Sequence, residues 1–233
     1  NDGVFLKNFK RKSIVGVEPC NNLAKLTRNK NYITYSEYWS LKLAKKITKN
    51  KKADLVYSAN TLSHIKNLNE IFRAINFSLS TNGILILEDP SLLKCIKNIA
   101  YDQFYCEHIY VFSTIALKNI LEKNNLEIFD IHHTNTHGGS NRYYIKKKIN
   151  KKYKIKNSVK NEIKKEMKFG LHKISTYKKF SNNVKSWKNP PYWGTNPILN
   201  FKVLSYIGNS LTFSELIKID PKSGEIKPVM MLK

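Results

Sequence analysis

The chain has 233 residues, of which 41% are hydrophobic, so it can bury a sizeable core in one large domain or one and a half. Its 41 Lys and Arg residues outnumber its 17 Asp and Glu by 24, a balance that raises nucleic acid or an anionic lipid surface as partners. The sequence has no long apolar run, which argues against a membrane partner. Its three cysteines form no C-x-x-C pair, which argues against a disulfide framework or a zinc site. We therefore expect a protein of the reducing cytoplasm.

The first part of the chain alternates apolar runs with helical patterns. β-Branched runs that end at polar residues or at proline are typical of buried strands, whereas apolar residues three or four positions apart indicate helices. In chain order, these patterns predict a short helix over 4–9, a strand over 13–18, a helix over 21–29, a strand over 32–35, a Lys-rich helix over 37–49 and a strand over 54–60.

The same alternation continues to about residue 134. The patterns predict a helix over 65–79, a turn at 81–83, a strand over 84–88, a helix over 114–123, a strand over 126–131 and a hairpin-like strand over 142–148. Strands separated by helices indicate right-handed crossovers and a mostly parallel sheet. We therefore expect an α/β fold.

A strongly basic segment follows over residues 146–188. It contains sixteen Lys and two Glu, so it accounts for +14 of the net charge of +24. Its helical spacing predicts one or two long helices that leave the sheet domain, with Gly170 as a weak point, and the apolar stretches of 189–233 are ambiguous. Lys, Asn and Ile share A/T-rich codons, and specific nucleic-acid readers rely on Arg, so we expect no specific nucleic-acid partner.

Polar residues follow several predicted strands, at the ends where open parallel sheets bind ligands. Asn60 and His64 follow one strand, and 88–90 (E-D-P) closes another. Glu18 closes a third strand 15 residues after Gly3, and a carboxylate there can accept both hydroxyls of a ribose. These residues predict a ligand site at one edge of the sheet.

Seven short motifs occur in the order and at the spacing of one enzyme family. They are N-D-G at 1–3, G-V-E-P at 16–19, A-N-T-L-S-H-I at 59–65, L-E-D-P at 87–90, Y-D-Q-F-Y-C-E-H at 101–108, F-S-T-I-A-L at 112–117 and H-G-G-S-N-R at 137–142. On these motifs the chain resembles the S-adenosylmethionine-dependent sugar C-methyltransferases, which methylate C3 of nucleotide-linked 4-keto deoxysugars. The resemblance covers about residues 1–188, and its most distinctive parts are Y-x-E-H and H-G-G-S.

The resemblance implies a Rossmann-like class I methyltransferase sheet, incomplete at its N-terminus, in a methyltransferase domain over 1–150. It also implies that 151–233 begins a C-methyltransferase C-terminal domain, helical at first and then divergent. The implied cofactor is S-adenosylmethionine, and the residues expected to contact it are Asp2, Gly3, Glu18, Pro19 and Asn60. The implied substrate is a nucleotide-linked keto sugar, and we expect a monomer.

The family's substrate site matches two groups of residues. The resemblance makes His108 the general base, with Tyr105, Glu107 and His64 as further catalytic residues. The expected substrate-binding residues are His137, Gly138, Gly139, Ser140 and Arg142. The chemistry independently favours these types, because a carbon beside a ketone must lose a proton to a base that titrates near neutrality, and the enolate oxygen needs donors. No metal is required.

Other interpretations of these residues remain open. His108 could be a packed core residue, His64 could begin a helix, and the H-G-G-S segment could be an ordinary turn whose glycines have positive φ. Cys106 could be a nucleophile, but no oxyanion motif accompanies it. For the whole chain, the alternatives are an O- or N-methyltransferase of another small molecule, or a basic nucleic-acid-binding protein.

The chain also departs from the family that it resembles. Relatives have a first strand and glycine upstream of N-D-G, and an N-terminal zinc-binding segment with paired cysteines; this chain shows neither, so we expect no zinc site in it. Only 191–200 faintly matches the family beyond the basic segment. We expect a fragment or frameshifted product of an enzyme, or a decayed relative, whose isolated chain binds S-adenosylmethionine poorly and turns over little.

Overall fold

The computed structural model describes residues 3–105 and 107–185, together with the backbone of three short strands farther along. Strands and helices alternate within this part, which confirms the predicted α/β class. The elements are β1 Val15–Val17, α1 Asn21–Asn29, β2 Ile33–Tyr35, α2 Leu41–Ile47, β3 Ala53–Ala59, α3 Leu68–Ser78, β4 Leu79–Pro90, α4 Leu92–Lys97, α5 Thr114–Lys123, β5 Leu126–Thr134, β6 Ser140–Lys147, α6 Asn157–Phe169, α7 Ile174–Lys185, β7 Leu199–Lys202, β8 Leu216–Ile219 and β9 Ile226–Val229.

The main sheet has four strands in the order β3-β4-β6-β5. β3 and β4 are parallel, and β6 runs antiparallel to both β4 and β5. The carboxyl ends of β3 and β4 therefore meet the start of β6, where Glu88 lies opposite both Ala59 and Arg142. Residues that follow β3 and β4 and residues that precede β6 are thereby brought to one edge, as the sequence predicted for strand ends.

A second, two-stranded parallel sheet is formed by β1 and β2. In the residues that the structure describes, β1 pairs only with β2, and β3 pairs only with β4. The apolar side chains of β3 are accordingly half-buried, whereas Leu85 and Leu87 of β4 are fully buried. The two sheets are connected by packing of α2 on α3 and by the Phe5 ring, which stacks on Tyr57 with 3.8 Å between ring centroids.

The helices over 21–29 and 114–123 are confirmed at their predicted bounds. α2 is shorter than predicted because the Ser40 hydroxyl accepts the Leu43 N–H and begins the helix there. The predicted turn at 81–83 lies inside β4, which begins at Leu79: between the pairs Ala53↔Leu79 and Leu55↔Ile84, residues 80–83 stand opposite one residue of β3. A Cβ at Gly83 would approach the Ala53 carbonyl oxygen to 2.6 Å, so this irregularity requires glycine.

The basic segment forms two helices separated at Gly170, whose φ of 87° ends α6 in the left-handed conformation. The prediction that these helices leave the sheet is wrong for α6, which packs on β5 and α5. Both acids of the segment, Glu162 and Glu166, are buried there. The Glu166 carboxylate accepts the N–H groups of Thr114 at 2.6 Å and Ile115 at 3.0 Å, at the N-terminus of α5.

α7 supports a second core beside the main one. Its residues Tyr177 and Phe180 pack with α4 and with Phe104, whose ring centroid lies 5.6 Å from that of Phe180. This second core therefore packs against the segment that follows α4 and contains Phe104. Elsewhere in the sheet, His132 and His133 lie in β5 with exposed side chains.

Glu166 should be essential for stability. Glu166→Ala leaves the buried Thr114 N–H and the half-buried Ile115 N–H without an acceptor, and we expect it to lower the free energy of unfolding by about 2–4 kcal/mol in urea titrations. The control Glu166→Gln keeps one acceptor oxygen and should cost much less.

The same carboxyl should make stability depend on pH. Burial raises the pKa of Glu166 to about 7, above its ordinary value. The protonated form is therefore favoured by folding, and this contribution is lost as pH rises through about 7. Glu166→Gln should gain stability relative to the wild type between pH 5 and pH 8, and an unchanged difference would contradict this.

Candidate active site

His108 lies on the connection between α4 and α5 and is only 6% exposed. Its Nδ1 is 2.7 Å from the Gln103 carbonyl oxygen, which can only accept a hydrogen bond, so Nδ1 carries the proton of the neutral ring. Nε2 is then an acceptor, and the Tyr105 hydroxyl, 2.9 Å away, donates to it. The backbone thus fixes the tautomer that leaves a basic lone pair on Nε2.

His64 lies beside this pair, with 4.9 Å between its ring centroid and that of His108. Its Nδ1 is 2.9 Å from the Glu107 carbonyl oxygen, so Nδ1 is protonated in this ring too. Two further hydrogen bonds join the same loops, from Tyr110 N–H to the Ser63 carbonyl and from the Tyr110 hydroxyl to the Lys66 carbonyl. The loops after β3 and after α4 are therefore fixed to each other.

The surroundings of His108 favour its neutral form. Burial lowers the pKa of His108, and the nearby His64 and His137 lower it further, while the Gln103 carbonyl and Glu107 oppose the shift. A neutral imidazole at physiological pH has its Nε2 lone pair available. The arrangement is suited to accepting a proton.

Glu107 contributes to the described site through its backbone. Its carbonyl oxygen holds His64, whereas its side chain is exposed. The catalytic role predicted for its carboxylate stays a prediction. Cys106 lies outside the described residues.

A second polar cluster is formed by Glu88, Arg142 and Thr136. Arg142 Nε donates to Glu88 Oε2 at 2.7 Å, and the Thr136 hydroxyl donates to Glu88 Oε1 at 3.4 Å. The hydrogen bond to Glu88 raises the pKa of Arg142, so the guanidinium is permanently charged, and 39% of its side chain is exposed. Glu88 was predicted to lie at the ligand-binding edge of the sheet, as part of E-D-P at 88–90, but it was given no role in catalysis or binding.

The H-G-G-S segment forms a tight turn against α4. Gly138 and Gly139 have φ of 73° and 119°, which confirms the positive φ expected for the glycines of a turn. His137 also has a positive φ, of 52°. A non-glycine residue in this region is uncommon, and such strain often marks functional segments. Ser140 is fully buried and donates its hydroxyl to the Thr136 carbonyl, whereas His137 is exposed.

The residues predicted to contact a cofactor lie at strand ends. Glu18 follows β1, where its Oε1 accepts the Cys20 N–H at 2.9 Å, and Pro19 beside it is exposed. Asn60 follows β3 with φ of 49° and an exposed side chain. Gly3 has φ of 84°, and a Cβ there would lie 2.8 Å from the Thr27 side chain. Asp2 lies outside the described residues.

The described part of the chain contains neither a metal-binding cluster nor a membrane-spanning helix. Over 3–105, 107–185 and the short strands, no group of three or more His, Cys, Asp or Glu residues could hold a metal ion. Within the same residues, none of the helices combines the length and apolarity needed to cross a membrane.

Two family models match the chain. Residues 1–131 match a methyltransferase domain, and residues 135–191 match a C-methyltransferase C-terminal domain. The first match covers more than half of the chain, and both agree with the resemblance carried by the motifs. The chain belongs to the S-adenosylmethionine-dependent C-methyltransferase family. The division at residue 150 stays a prediction.

Among curated proteins, the chain is similar to the C-methyltransferase NovU of Streptomyces niveus, with 29% identity over 143 residues. That alignment covers 60% of this chain and 34% of NovU, so the chain matches about a third of the length of its curated relative. Similar solved structures include a methyltransferase of Anabaena variabilis, with 13% identity, a TM-score of 0.47 and coverage of 61% of this chain and 71% of that one. The N-methyltransferase NodS of Bradyrhizobium japonicum has 12% identity, a TM-score of 0.46 and coverage of 63% and 80%.

The tautomer of His108 can be observed directly. With ¹⁵N-labelled histidine, NMR should show His108 protonated at Nδ1 and bare at Nε2 at pH 7, with a pKa below about 6.5. His108→Gln assigns the signals by their disappearance. An Nε2-protonated ring would contradict the described hydrogen bonds, and a pKa above the ordinary value would contradict the effect of burial on His108.

Proposed function

We propose that the enzyme transfers a methyl group from S-adenosylmethionine to the carbon beside a ketone, C3 of a nucleotide-linked 4-keto deoxysugar. His108 is the general base that forms the enolate. The observation that carries this proposal is the His108 tautomer, because the Gln103 carbonyl holds the proton on Nδ1 and leaves Nε2 basic. The matched C-methyltransferase C-terminal domain and the likeness to C-methyltransferase NovU support carbon as the acceptor.

Proton removal at C3 is the step assigned to His108. The C–H bond breaks, its electron pair moves into the enolate, and Nε2 takes the proton while Nδ1–H remains bonded to the Gln103 carbonyl. The imidazolium that forms is stabilised by that carbonyl, which opposes the effect of burial on the pKa of His108. A positioned base of this kind contributes about 10²–10⁴-fold to rate.

The Tyr105 hydroxyl has two proposed roles, and it cannot perform both at the same time. In the described structure its hydroxyl donates to His108 Nε2, which orients the base and also occupies its lone pair. The hydroxyl must leave Nε2 before that atom can accept a proton from carbon. In that position it would donate to the ketone oxygen, where negative charge develops.

His64 can support the same oxygen only in its protonated form. Its Nδ1–H is bonded to the Glu107 carbonyl, so the neutral ring has no second N–H to offer. Protonation would place a donor on Nε2. Neutral His64 is thereby a poor candidate for the donor to the enolate oxygen.

The residues at the other strand ends fit S-adenosylmethionine. The exposed Asn60 side chain after β3 and the Glu18 carboxylate after β1 are groups of the type that bind and orient a nucleoside. When bound, this cofactor supplies the electrophilic methyl group. Glu18 would hold the ribose hydroxyls, and Asn60 would line the cleft.

The turn at 137–140 and Arg142 form the proposed substrate side. Arg142 is oriented by Glu88 through Nε, and its terminal NH₂ groups offer donors for a sugar or a phosphate. His137 is exposed on a strained turn close enough to influence the pKa of His108. We also propose that the protein is a monomer and that it has no specific nucleic-acid partner.

Loss of deuterium from C3 of a 4-keto sugar tests the proposed base. In H₂O, the wild-type protein should exchange C3 deuterium for hydrogen, and His108→Gln should slow this exchange by about 10²–10⁴-fold. NMR or mass spectrometry of the recovered sugar measures the loss.

The matched control is His132→Gln, which changes an exposed histidine in β5 and should leave the exchange rate unchanged. Equal exchange in His108→Gln and the wild type would refute His108 as the base. Methylation of an oxygen or nitrogen without any exchange at carbon would favour the O- or N-methyltransferase alternative.

A further inference from the structure

His133 is a histidine for which the proposed mechanism has no use. It lies in β5 directly opposite Asn141 of β6, at the base of the hairpin whose turn at 137–140 belongs to the proposed substrate side. Although 39% of its side chain is exposed, its Nδ1 lies only 2.7 Å from Asn141 Oδ1. The two strands are therefore joined just below the turn by a side-chain hydrogen bond as well as by the backbone.

The side-chain amide of Asn141 is fully buried, and both of its polar atoms are engaged. Nδ2 donates to the Tyr143 hydroxyl at 3.2 Å and to Glu162 Oε1 at 3.4 Å. A carboxylate can only accept, which places Nδ2 rather than Oδ1 on the side of Glu162. Oδ1 is then the acceptor for His133, whose Nδ1 carries the proton of this hydrogen bond.

Glu162 connects the same two residues to α6. It is 2% exposed, and while its Oε1 accepts from Asn141, its Oε2 lies 3.4 Å from His133 Nε2 and 3.6 Å from Lys165 Nζ. A buried carboxylate is costly unless it is paired and hydrogen-bonded, and these three residues supply both kinds of partner. The base of the hairpin is thereby fixed to the region that matches the C-methyltransferase C-terminal domain.

The turn above this base has a conformation that needs support. His137 has φ of 52°, and such strained residues persist only where the surrounding structure determines their conformation. At the tip of the turn, the Asn98 side chain donates to the Gly138 carbonyl at 3.2 Å. The tip is thus held from the side of α4, and the base is held by the bond between β5 and β6.

We propose that His133 is a positioning residue: by donating to Asn141 it closes the base of the hairpin and holds the turn at 137–140 and Arg142 in place for the nucleotide-linked sugar. Arg142 follows Asn141 directly, so a displacement of Asn141 is passed to the backbone that carries the guanidinium. The role in sugar binding rests on the proposed function, whereas the closing of the hairpin does not. His133 acts through Asn141 and is not a catalytic residue.

Amide hydrogen exchange in the full chain tests the closing of the hairpin. The Gly139 N–H, which donates to the Thr136 carbonyl at 2.9 Å, should exchange about tenfold faster in His133→Ala than in the wild type, because opening of the turn becomes easier. The matched control is His132→Ala, which changes the neighbouring exposed histidine on the other face of β5 and should leave this rate unchanged.

Two conservative variants separate the contacts of the imidazole. His133→Asn keeps an N–H donor in the place of Nδ1 and should restore the slow exchange of Gly139. His133→Gln places its amide near the position of Nε2, toward Glu162, and should exchange as fast as His133→Ala. The expected difference follows from the distances, 2.7 Å to Asn141 against 3.4 Å to Glu162.

Turnover tests the role in sugar binding. His133→Ala should raise KM for the nucleotide-linked sugar about 5- to 10-fold, whereas kcat and the KM for S-adenosylmethionine should change little, because the variant leaves His108 and the strand ends after β1 and β3 intact. His133→Asn should restore the KM for the sugar.

Unchanged exchange at Gly139 in His133→Ala, or equally fast exchange in His132→Ala, would overturn the proposal. Faster exchange with an unchanged KM for the sugar would overturn the role in sugar binding. The exchange measurement needs no turnover. Faster Gly139 exchange in His133→Ala together with normal C3 exchange in His108→Gln would therefore reject the proposed base and support the closing of the hairpin by His133.

Discussion

The hydrogen bond from His108 Nδ1–H to the Gln103 carbonyl is the interaction on which the site depends. A backbone carbonyl cannot donate, so it determines the tautomer without the help of an acidic side chain, and the lone pair is left on Nε2. Burial lowers the pKa of His108 and so favours the neutral imidazole. The Tyr105 hydroxyl orients this imidazole by donating to Nε2, and it thereby occupies the Nε2 lone pair. If the Gln103 carbonyl turned away, the neighbouring residues would still be present, but the proton could occupy either nitrogen.

The rest of the fold holds that backbone in place. α7 packs behind the segment that carries Phe104, and Glu166 of α6 caps the start of α5, where that segment ends. The region that matches the C-methyltransferase C-terminal domain therefore contributes structure to the proposed active site as well as its strained turn. Most lysines of the segment are exposed, whereas both of its glutamates are buried: Glu162 accepts from Asn141 of β6, and Glu166 accepts from the start of α5.

Local patterns in the sequence were enough to predict much of the fold, whereas the histidines of the candidate site were indicated only by the resemblance that the short motifs carry. The helices over 21–29 and 114–123 have clear spacing and ends, and the histidines lie in the short motifs Y-x-E-H, A-N-T-L-S-H and H-G-G-S. Contacts between residues that are far apart in the chain could not be predicted from the sequence. The Arg142–Glu88 bond depends on the antiparallel register of β6, and the bulge before Gly83 depends on its pairing with β3. Two glutamates among sixteen lysines gave no sign of burial, because the Glu166 partners are backbone N–H groups distant in sequence.

The most direct measurement is a structure of the protein with a nucleotide-linked 4-keto sugar and S-adenosylhomocysteine bound. We expect His108 Nε2 within about 3–3.5 Å of sugar C3, with the Tyr105 hydroxyl turned from the imidazole to the ketone oxygen. A sugar bound with its C3 out of reach of Nε2, while Tyr105 still donates to that nitrogen, would contradict the proposed role of His108.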